Sequence, residues 1–277
     1  MEQRYPAKDL LGFLGLPAST YYYHRSRAGK PDRYAREREL LARVFTENRK
    51  AYGYRRVRIA LARDHGIRLS GKTVAALMRQ EGCICRIRRR KYNSHRGEIG
   101  HVAPNRLARD FQADAPHLKW VTDVTEFRVA DQKMYLSPVL DLFNGEIIAH
   151  AVRPSPALPL VMDMLTDAFK VLKPGEHPVL HSDQGWQYQH RSWVSALQDR
   201  GLHQSMSRKA NCYDNAAMES FFGHLKEEFF HHDRFDTIEQ FEQGLSQYIH
   251  WYNHTRIKEK LKGLSPVQYR TQSLHVA

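Results

Sequence analysis

The stretch Leu118–Val152, LKWVTDVTEFRVADQKMYLSPVLDLFNGEIIAHAV, decides the fold. Apolar and β-branched residues run through Leu118–Val129, Met134–Phe143 and Glu146–Val152, the pattern of strands buried on at least one face. A turn at Asp131-Gln132 separates the first two runs, and Asn144-Gly145, a strong hairpin signal, separates the second from the third. Three antiparallel strands are therefore expected. One residue does not suit them: Asp123 sits inside the first run, and a buried carboxylate is costly unless it is paired or holds a metal.

Working outward, Arg153-Pro-Ser-Pro-Ala-Leu-Pro159 breaks the strand pattern. A helix over Leu160–Leu172, a fourth strand at Val179–Ser182, a helix over Arg191–Arg200 and a short fifth strand at Leu202–Met206 follow. Three antiparallel strands and two crossover strands give a mixed five-stranded sheet flanked by helices, an α/β order that matches an RNase-H-like core. Two more acids stand out. Asp183 follows the fourth strand in Leu180-His-Ser-Asp-Gln-Gly185, and Glu219 lies in a helical pattern, Asp214-Asn-Ala-Ala-Met-Glu-Ser-Phe-Phe222, with 35 residues between them. Three clustered carboxylates imply cations, and an oxygen-only donor set favours Mg²⁺ or Mn²⁺ over zinc.

The helix around Glu219 carries two stripes. Met218, Phe222, Leu225 and Phe229 mark a buried one, while Glu219, Gly223 and Lys226 share an adjacent line that presents an acid, a gap and a cation. On this reading Lys226 faces the substrate and not the metals. After residue 236, Phe241, Leu245, Tyr248, Ile249 and Tyr252 recur at helical spacing as core, and Arg256, Lys258, Lys260 and Lys262 make the end basic, a second DNA contact or a subunit contact.

Charge is divided along the chain. Of its 277 residues, the first 110 hold 26 Lys and Arg against 10 Asp and Glu, whereas the remainder hold 17 against 20. A basic front joined to a nearly neutral body is the electrostatic footprint of nucleic-acid binding coupled to a second domain. The front contains a short helical hairpin in residues 1–32 and three helical periods within residues 33–91, with turn signals at Gly53 and Gly66. Ser70 is the expected N-cap of the last helix, where Val74, Leu77 and Met78 form the core stripe and Lys72, Ala76 and Arg79 face outward, as in a helix-turn-helix that contacts phosphates. Arg88, Arg89 and Arg90 extend the basic surface, residues 92–112 read as a linker, residues 113–230 as the α/β core and residues 231–277 as a helical extension. Three cysteines without a Cys-x-x-Cys motif, no signal-peptide core and no long apolar run lead to the expectation of a cytoplasmic, nucleoid-associated bacterial protein.

The sequence resembles the DDE-type insertion-sequence transposases related to retroviral integrases, specifically their second-reading-frame product. The resemblance rests on Tyr52-Gly-Tyr-Arg-Arg-Val57, Trp120-Val-Thr-Asp-Val-Thr125, His181-Ser-Asp-Gln-Gly185, the run from Ser207 to Phe222, and Tyr252-Asn with Arg256. Ala210 departs from the pattern, which has Gly before Asn211. The resemblance implies that Asp123, Asp183 and Glu219 are the catalytic triad holding two divalent ions, and that cleavage at element ends is followed by 3′-OH strand transfer. It implies that Lys226 touches DNA beside the cleaved bond. Arg55 and Arg56 of the first motif, and Arg208 and Lys209 before the Glu219 helix, are further candidate DNA contacts. A homo-oligomer on DNA is expected, with an upstream-frame product or fusion adding end recognition. Three alternatives remain at this point: a metal-dependent nuclease or resolvase, against which the basic front and the Lys226 stripe argue, a non-catalytic helix-turn-helix regulator, which leaves three acids unexplained, and an inactive relic, against which the intact acids count.

Overall fold

The computed structural model describes residues 6–27, 32–85, 103–108, 110–207 and 215–276. Arg88, Arg89, Arg90, Arg208, Lys209 and Ala210 lie outside the described residues.

The first expected strand forms two ladder segments, β1 (Lys119–Thr122) and β2 (Thr125–Val129), both antiparallel to β3 (Gln132–Asp141). Their register along β3 is common, with Thr122 opposite Val139 and Thr125 opposite Leu136, so the intervening Asp123 falls opposite Pro138. The Leu142 N–H donates to the Lys119 carbonyl, and donors on one edge of a strand recur at every second residue. The residue due to donate to the Asp123 carbonyl is therefore 138. Proline has no N–H to give, and the ladder breaks at the residue that carries the carboxylate.

A two-residue turn at Ala130 and Asp131, both at positive φ (45° and 63°), joins β2 to β3 one residue earlier than the expected Asp131-Gln132 turn. Positive φ at both positions is the geometry whose twist matches a hairpin. β4 (Ile147–Arg153) pairs with the other edge of β3. β5 (Val179–Ser182) runs parallel to β1, and β6 (His203–Met206) parallel to β5, giving the path β2-β3-β1-β5-β6. Counted by ladder segments the sheet has six strands. Because β1 and β2 trace one path along β3, it is the expected five-stranded sheet with one strand interrupted.

Both faces are covered. α6 (Leu158–Phe169) and α8 (Arg191–Asp199) pack Val161, Met164, Leu165, Trp193 and Leu197 against Trp120, Val139 and Leu180. On the other face α9 (Ala216–Leu225), a π turn at Lys226–Phe230, and α10 (Ile238–His254) bring Met218, Phe221, Leu225, Phe229, Phe241 and Leu245 onto Val121, Phe127 and Leu136. Alternate residues of one strand thus feed opposite cores, as strand periodicity demands. Part of the expected linker is packed as well. The N–H groups of Arg106 and Leu107 donate to Ser205 Oγ of β6, and Leu107 is buried.

In front of the sheet, α1 (Ala7–Phe13) and α2 (Ala18–Arg27) form a hairpin, and α3 (Ala35–Glu47), α4 (Tyr54–His65) and α5 (Gly71–Gln80) share a core of Leu41, Val57, Leu61, Val74 and Leu77. Ser70 caps α5, its hydroxyl accepting from the Thr73 N–H at 3.1 Å, and Lys72, Ala76 and Arg79 are exposed as expected. This unit is docked. Ile257 completes its core, Tyr52 Oη accepts from the Ile257 N–H at 2.9 Å, and Arg63 donates to the Gly263 carbonyl at 3.2 Å.

The tail before α11 (Pro266–Val276) accordingly faces inward, which corrects the expectation of a basic DNA-contacting end for two of its four cations. Arg256 is buried at 1% exposure and clamps Glu228, donating from Nε at 2.7 Å and from Nη2 at 2.5 Å, while Tyr248 Oη adds a third bond at 2.9 Å. Burial alone would push Glu228 up, yet the Arg256 guanidinium holds it below the usual carboxylate range. Lys258 is pushed down to about 7, first by burial and then by Arg256 and Arg56, and donates to the Gly145 carbonyl at 3.0 Å. Lys260 and Lys262 remain exposed.

Removing one partner of a buried ion pair leaves the other uncompensated, so Arg256→Met is expected to lower stability by about 3–5 kcal/mol in denaturant unfolding. The pair's contribution should be full above the unfolded carboxylate pKa of about 4.3 and fade as pH falls through the lower folded value. A stability difference between wild type and Arg256→Met that stays constant from pH 5 to pH 2 would contradict this assignment.

Candidate active site

Parallel pairing brings two of the acids together. β1 and β5 align Trp120 with Leu180 and Val121 with His181, and the same register carried two residues further sets Asp123 beside Asp183 at the carboxyl ends of adjacent strands. Neighbouring strands lie about 4.8 Å apart. The two carboxylates are tied to the backbone just beyond them: the Val124 N–H donates to Asp123 Oδ1 at 2.7 Å, and the Gly185 N–H donates to Asp183 Oδ1 at 2.8 Å. A Cβ on Gly185 would stand 3.0 Å from Asp183 Oδ1 and 2.9 Å from Gln187 Oε1, so a side chain there would push on the carboxylate it adjoins.

Glu219 arrives on α9. Asn215, at the N-cap, donates from Nδ2 to the Thr122 carbonyl at 3.3 Å, which fastens the helix start to the strand end beside Asp123. Glu219 lies in the first turn of that helix, where a carboxylate is favoured by the exposed N–H groups. The expected stripes are present: Met218, Phe222, Leu225 and Phe229 are buried, Glu219 and Lys226 are half-buried, and Gly223 is exposed with nothing within 4 Å of an added Cβ.

Electrostatics mark this as a site that needs a cation. Asp123 is pushed up to about 7, first by burial, then by the neighbouring Asp183 and more weakly by Glu219, against the Val124 N–H and Lys226. Asp183 is raised by burial, opposed by its Gly185 hydrogen bond. Among the described residues no group of three or more His, Cys, Asp or Glu side chains is drawn together closely enough to hold a metal ion. The donor chemistry nonetheless fits a hard divalent ion: carboxylate oxygens only, desolvated, and repelling one another without one.

Lys226 is within electrostatic reach of Asp123. Its ammonium is 5.6 Å from the Phe127 ring centroid, its pKa is lowered by burial, and its charged neighbours are Glu126 and Asp123. Sequence reading passed over Tyr188 on α7 (Trp186–Gln189), a buried phenol whose pKa is raised well above the usual by burial and by Asp123 and Asp183, with Thr122 and Ser137 beside it. Its signal is the position five residues after Asp183 in a turn that must fold back beneath the acids.

The candidate DNA contacts divide. Arg55, Lys72 and Arg79 are solvent-facing on the front unit. Arg56 is not: its guanidinium turns into the protein, 5.7 Å over the Tyr52 ring and 3.7 Å from Glu228 Oε1, so its expected role as a DNA contact is corrected. The helix carries Arg55 and Arg56 about 100° apart, which lets the first face solvent while the second turns toward Glu228.

Comparison with known proteins bears on all three regions. Residues 33–91 match an HTH-like domain family, and residues 113–212 and 219–274 match two integrase core domain families. The chain is similar to the transposase InsF for insertion sequence IS3A of Escherichia coli, 34% identical over 83% of this chain and 81% of that one. A probable transposase for insertion sequence element IS1353 of Shigella flexneri is 43% identical over 96% of this chain but only 52% of its own length. Among solved structures, the HTLV-2 integrase catalytic core domain in complex with magnesium aligns with a TM-score of 0.45 and 13% identity over 57% of this chain and 98% of that one. The putative transposase InsK for insertion sequence element IS150 of Escherichia coli is 48% identical over 99% of this chain and 96% of its own. With that identity running nearly end to end through both proteins, the chain belongs to the insertion-sequence transposases that carry an integrase core.

Proposed function

We propose that this transposase cuts DNA at the ends of its element and joins the freed 3′-OH to a target phosphodiester, with Asp123, Asp183 and Glu219 as its catalytic, metal-holding carboxylates. The observation that carries this reading is the pair Asp123–Asp183 at the ends of adjacent parallel strands, with Asp123 raised first by burial and then by Asp183. Two Mg²⁺ or Mn²⁺ ions, when bound, would supply Lewis acidity to the attacking and leaving oxygens. The side chains do the rest. Each acid sits on a different rigid element, so their spacing is set by the sheet and by α9, and no covalent protein intermediate is required. Arg55, Lys72 and Arg79 serve as phosphate contacts on the front unit, Lys226 as the contact beside the scissile bond, and Gly223 as the gap that admits the backbone. Arg88, Arg89, Arg90, Arg208 and Lys209 are taken as further DNA contacts on the strength of the sequence. The protein works as a homo-oligomer on DNA, with an upstream-frame product or fusion adding end recognition, a reading supported by the greater length of the Shigella relative. No described helix is long and apolar enough to cross a membrane.

Labelled element ends with Mg²⁺, scored separately for nicking and joining, test the reading. Asp123→Asn, Asp183→Asn and Glu219→Gln should each cut both activities by at least about a thousandfold while leaving DNA binding intact, and pairs of these changes should be no worse than one. Strand transfer by any single variant near the wild-type rate sinks the triad.

Because Asp123 keeps its proton up to about pH 7 without a cation, an ion must displace that proton to bind below this value. Mn²⁺ affinity should rise with pH and level off above about 7.5. Calorimetry at pH 6.5 in buffers of different ionisation enthalpy should detect proton release that Asp123→Asn abolishes. A release unchanged in that variant would place the proton elsewhere.

Since a Cβ added at the exposed Gly223 meets nothing within 4 Å, Gly223→Leu should leave melting unchanged or higher while obstructing end DNA. Lys226→Ala should weaken end binding and reduce the salt slope by about 1. A stable Gly223→Leu protein with wild-type joining would show that DNA does not pass along this stripe.

A further inference from the structure

Two motifs of the sequence take no part in the carboxylate chemistry, Tyr52-Gly-Tyr-Arg-Arg-Val57 and the tail run from Tyr252 to Arg256. They are some 200 residues apart, yet they close on one another. Tyr52 Oη accepts from the Ile257 N–H at 2.9 Å and donates to the Thr255 carbonyl at 3.4 Å. Nearby, a Cβ on Gly263 would lie 2.8 Å from Ile59 Cγ2, a mark of how tightly α4 is seated on the tail.

At the centre of this contact is Glu228, whose side chain is fully buried. Its two oxygens are already satisfied by Arg256 and Tyr248. Arg56 is therefore a second guanidinium on a carboxylate that does not need it, at 3.7 Å. It stands there at a cost, because burial and the neighbouring Arg256 both lower its pKa. The other candidate partner, His224 at 3.8 Å, is pushed down to about 4, by burial first, and stays neutral. Stability gives no reason to keep such a cation, since apolar side chains of similar volume usually serve as well in a buried ionic site.

Position supplies a reason. Glu228 lies nine residues beyond Glu219 and two beyond Lys226 on one unbroken run of α9 and the π turn, about 13 Å along a stiff helix from the acid. Arg56 belongs to α4, and Arg55, the preceding residue, faces the other way. It lines a concavity of about 640 Å³ between α4 and α5 together with Arg58, Lys72 and Tyr54. Successive residues of one helical turn thus look toward the basic surface and toward the helix that bears the third acid.

We propose that Arg56 is a positioning residue that, through Glu228, makes the placement of the Glu219 helix depend on how the α3–α5 unit is seated, so that DNA held by that unit is felt at the acids. This rests on the transposase reading given above. The coupling passes through a contiguous chain of contacts: the basic face of α4, Arg56, Glu228, then α9.

The test uses the full chain carrying Arg56→Met, which leaves Glu228 paired with Arg256 and Tyr248, and Arg56→Lys as the conservative variant. End-DNA affinity and melting temperature should stay near wild type. Single-turnover cleavage at saturating DNA and Mg²⁺ should fall by about tenfold or more in Arg56→Met and recover in part in Arg56→Lys. Hydrogen exchange should report greater protection of residues 216–230 on adding end DNA in the wild type, and none in Arg56→Met. Cleavage within about twofold of wild type overturns the proposal, as does a loss that tracks melting and returns on cooling, or equal DNA-induced protection in both proteins. If the wild-type chain itself fails to cut, the transposase reading is at fault, and the exchange comparison still decides the role of Arg56.

Discussion

Two carboxylates held a strand's width apart and withdrawn from water repel one another and lose hydration, and this cost organises the molecule. The parallel register of β1 and β5 creates it by setting Asp123 level with Asp183. Everything around the pair keeps it from relaxing. The sheet is covered on both faces, so its strand ends cannot shift, and the backbone N–H groups of Val124 and Gly185 fix one oxygen of each acid. Pro138, across the ladder, withholds the donor that would draw the Asp123 backbone into regular pairing. The strain is electrostatic and is relieved by a proton on Asp123 or, in the proton's place, by a cation, so the pair can be held together before a metal binds.

Much of the fold was legible in local sequence. The Asn144-Gly145 hairpin, the crossover helices, the short fourth and fifth strands and the Ser70 cap all follow from periodicity and turn chemistry, and all formed within a few residues of expectation. What was hidden is non-local. The break between β1 and β2 is written in Pro138, fifteen residues from Asp123, and matters only once the two are known to lie opposite. The docking of α3–α5 on the tail joins residues some 200 positions apart, and no period in the chain announces such a contact.

The site divides in the same way. The three acids were legible because carboxylates inside half-buried patterns are conspicuous, and the stripe of Glu219, Gly223 and Lys226 because a helix keeps its phase over two turns. Positive charge was read less well. Arg56, Arg256 and Lys258 look like surface cations in a basic chain, but charge does not say which way a side chain turns. A signal did exist. Glu228 falls three residues after Leu225 and seven after Phe221, squarely on the buried face, and a carboxylate buried there requires a guanidinium from elsewhere in the chain.

The helix of Glu219 is held at both ends by groups that owe nothing to a metal. Asn215 pins its start to the Thr122 carbonyl, and Arg256 clamps Glu228 near its end. Between these anchors the run widens into a π turn, closed by the His231 N–H donating to the Lys226 carbonyl at 2.9 Å. A wide turn inserts one residue into the phase of a helix. Phe229 and Phe230 can then both pack on Phe241, while Glu228 keeps its place among the guanidiniums. The third acid is therefore carried on an element whose position is settled by packing and ion pairing, whereas the other two are set by a register that their own repulsion opposes. Any influence that tilts the helix changes the distance between Glu219 and the other two acids, and the buried end of that helix is where α4 reaches it.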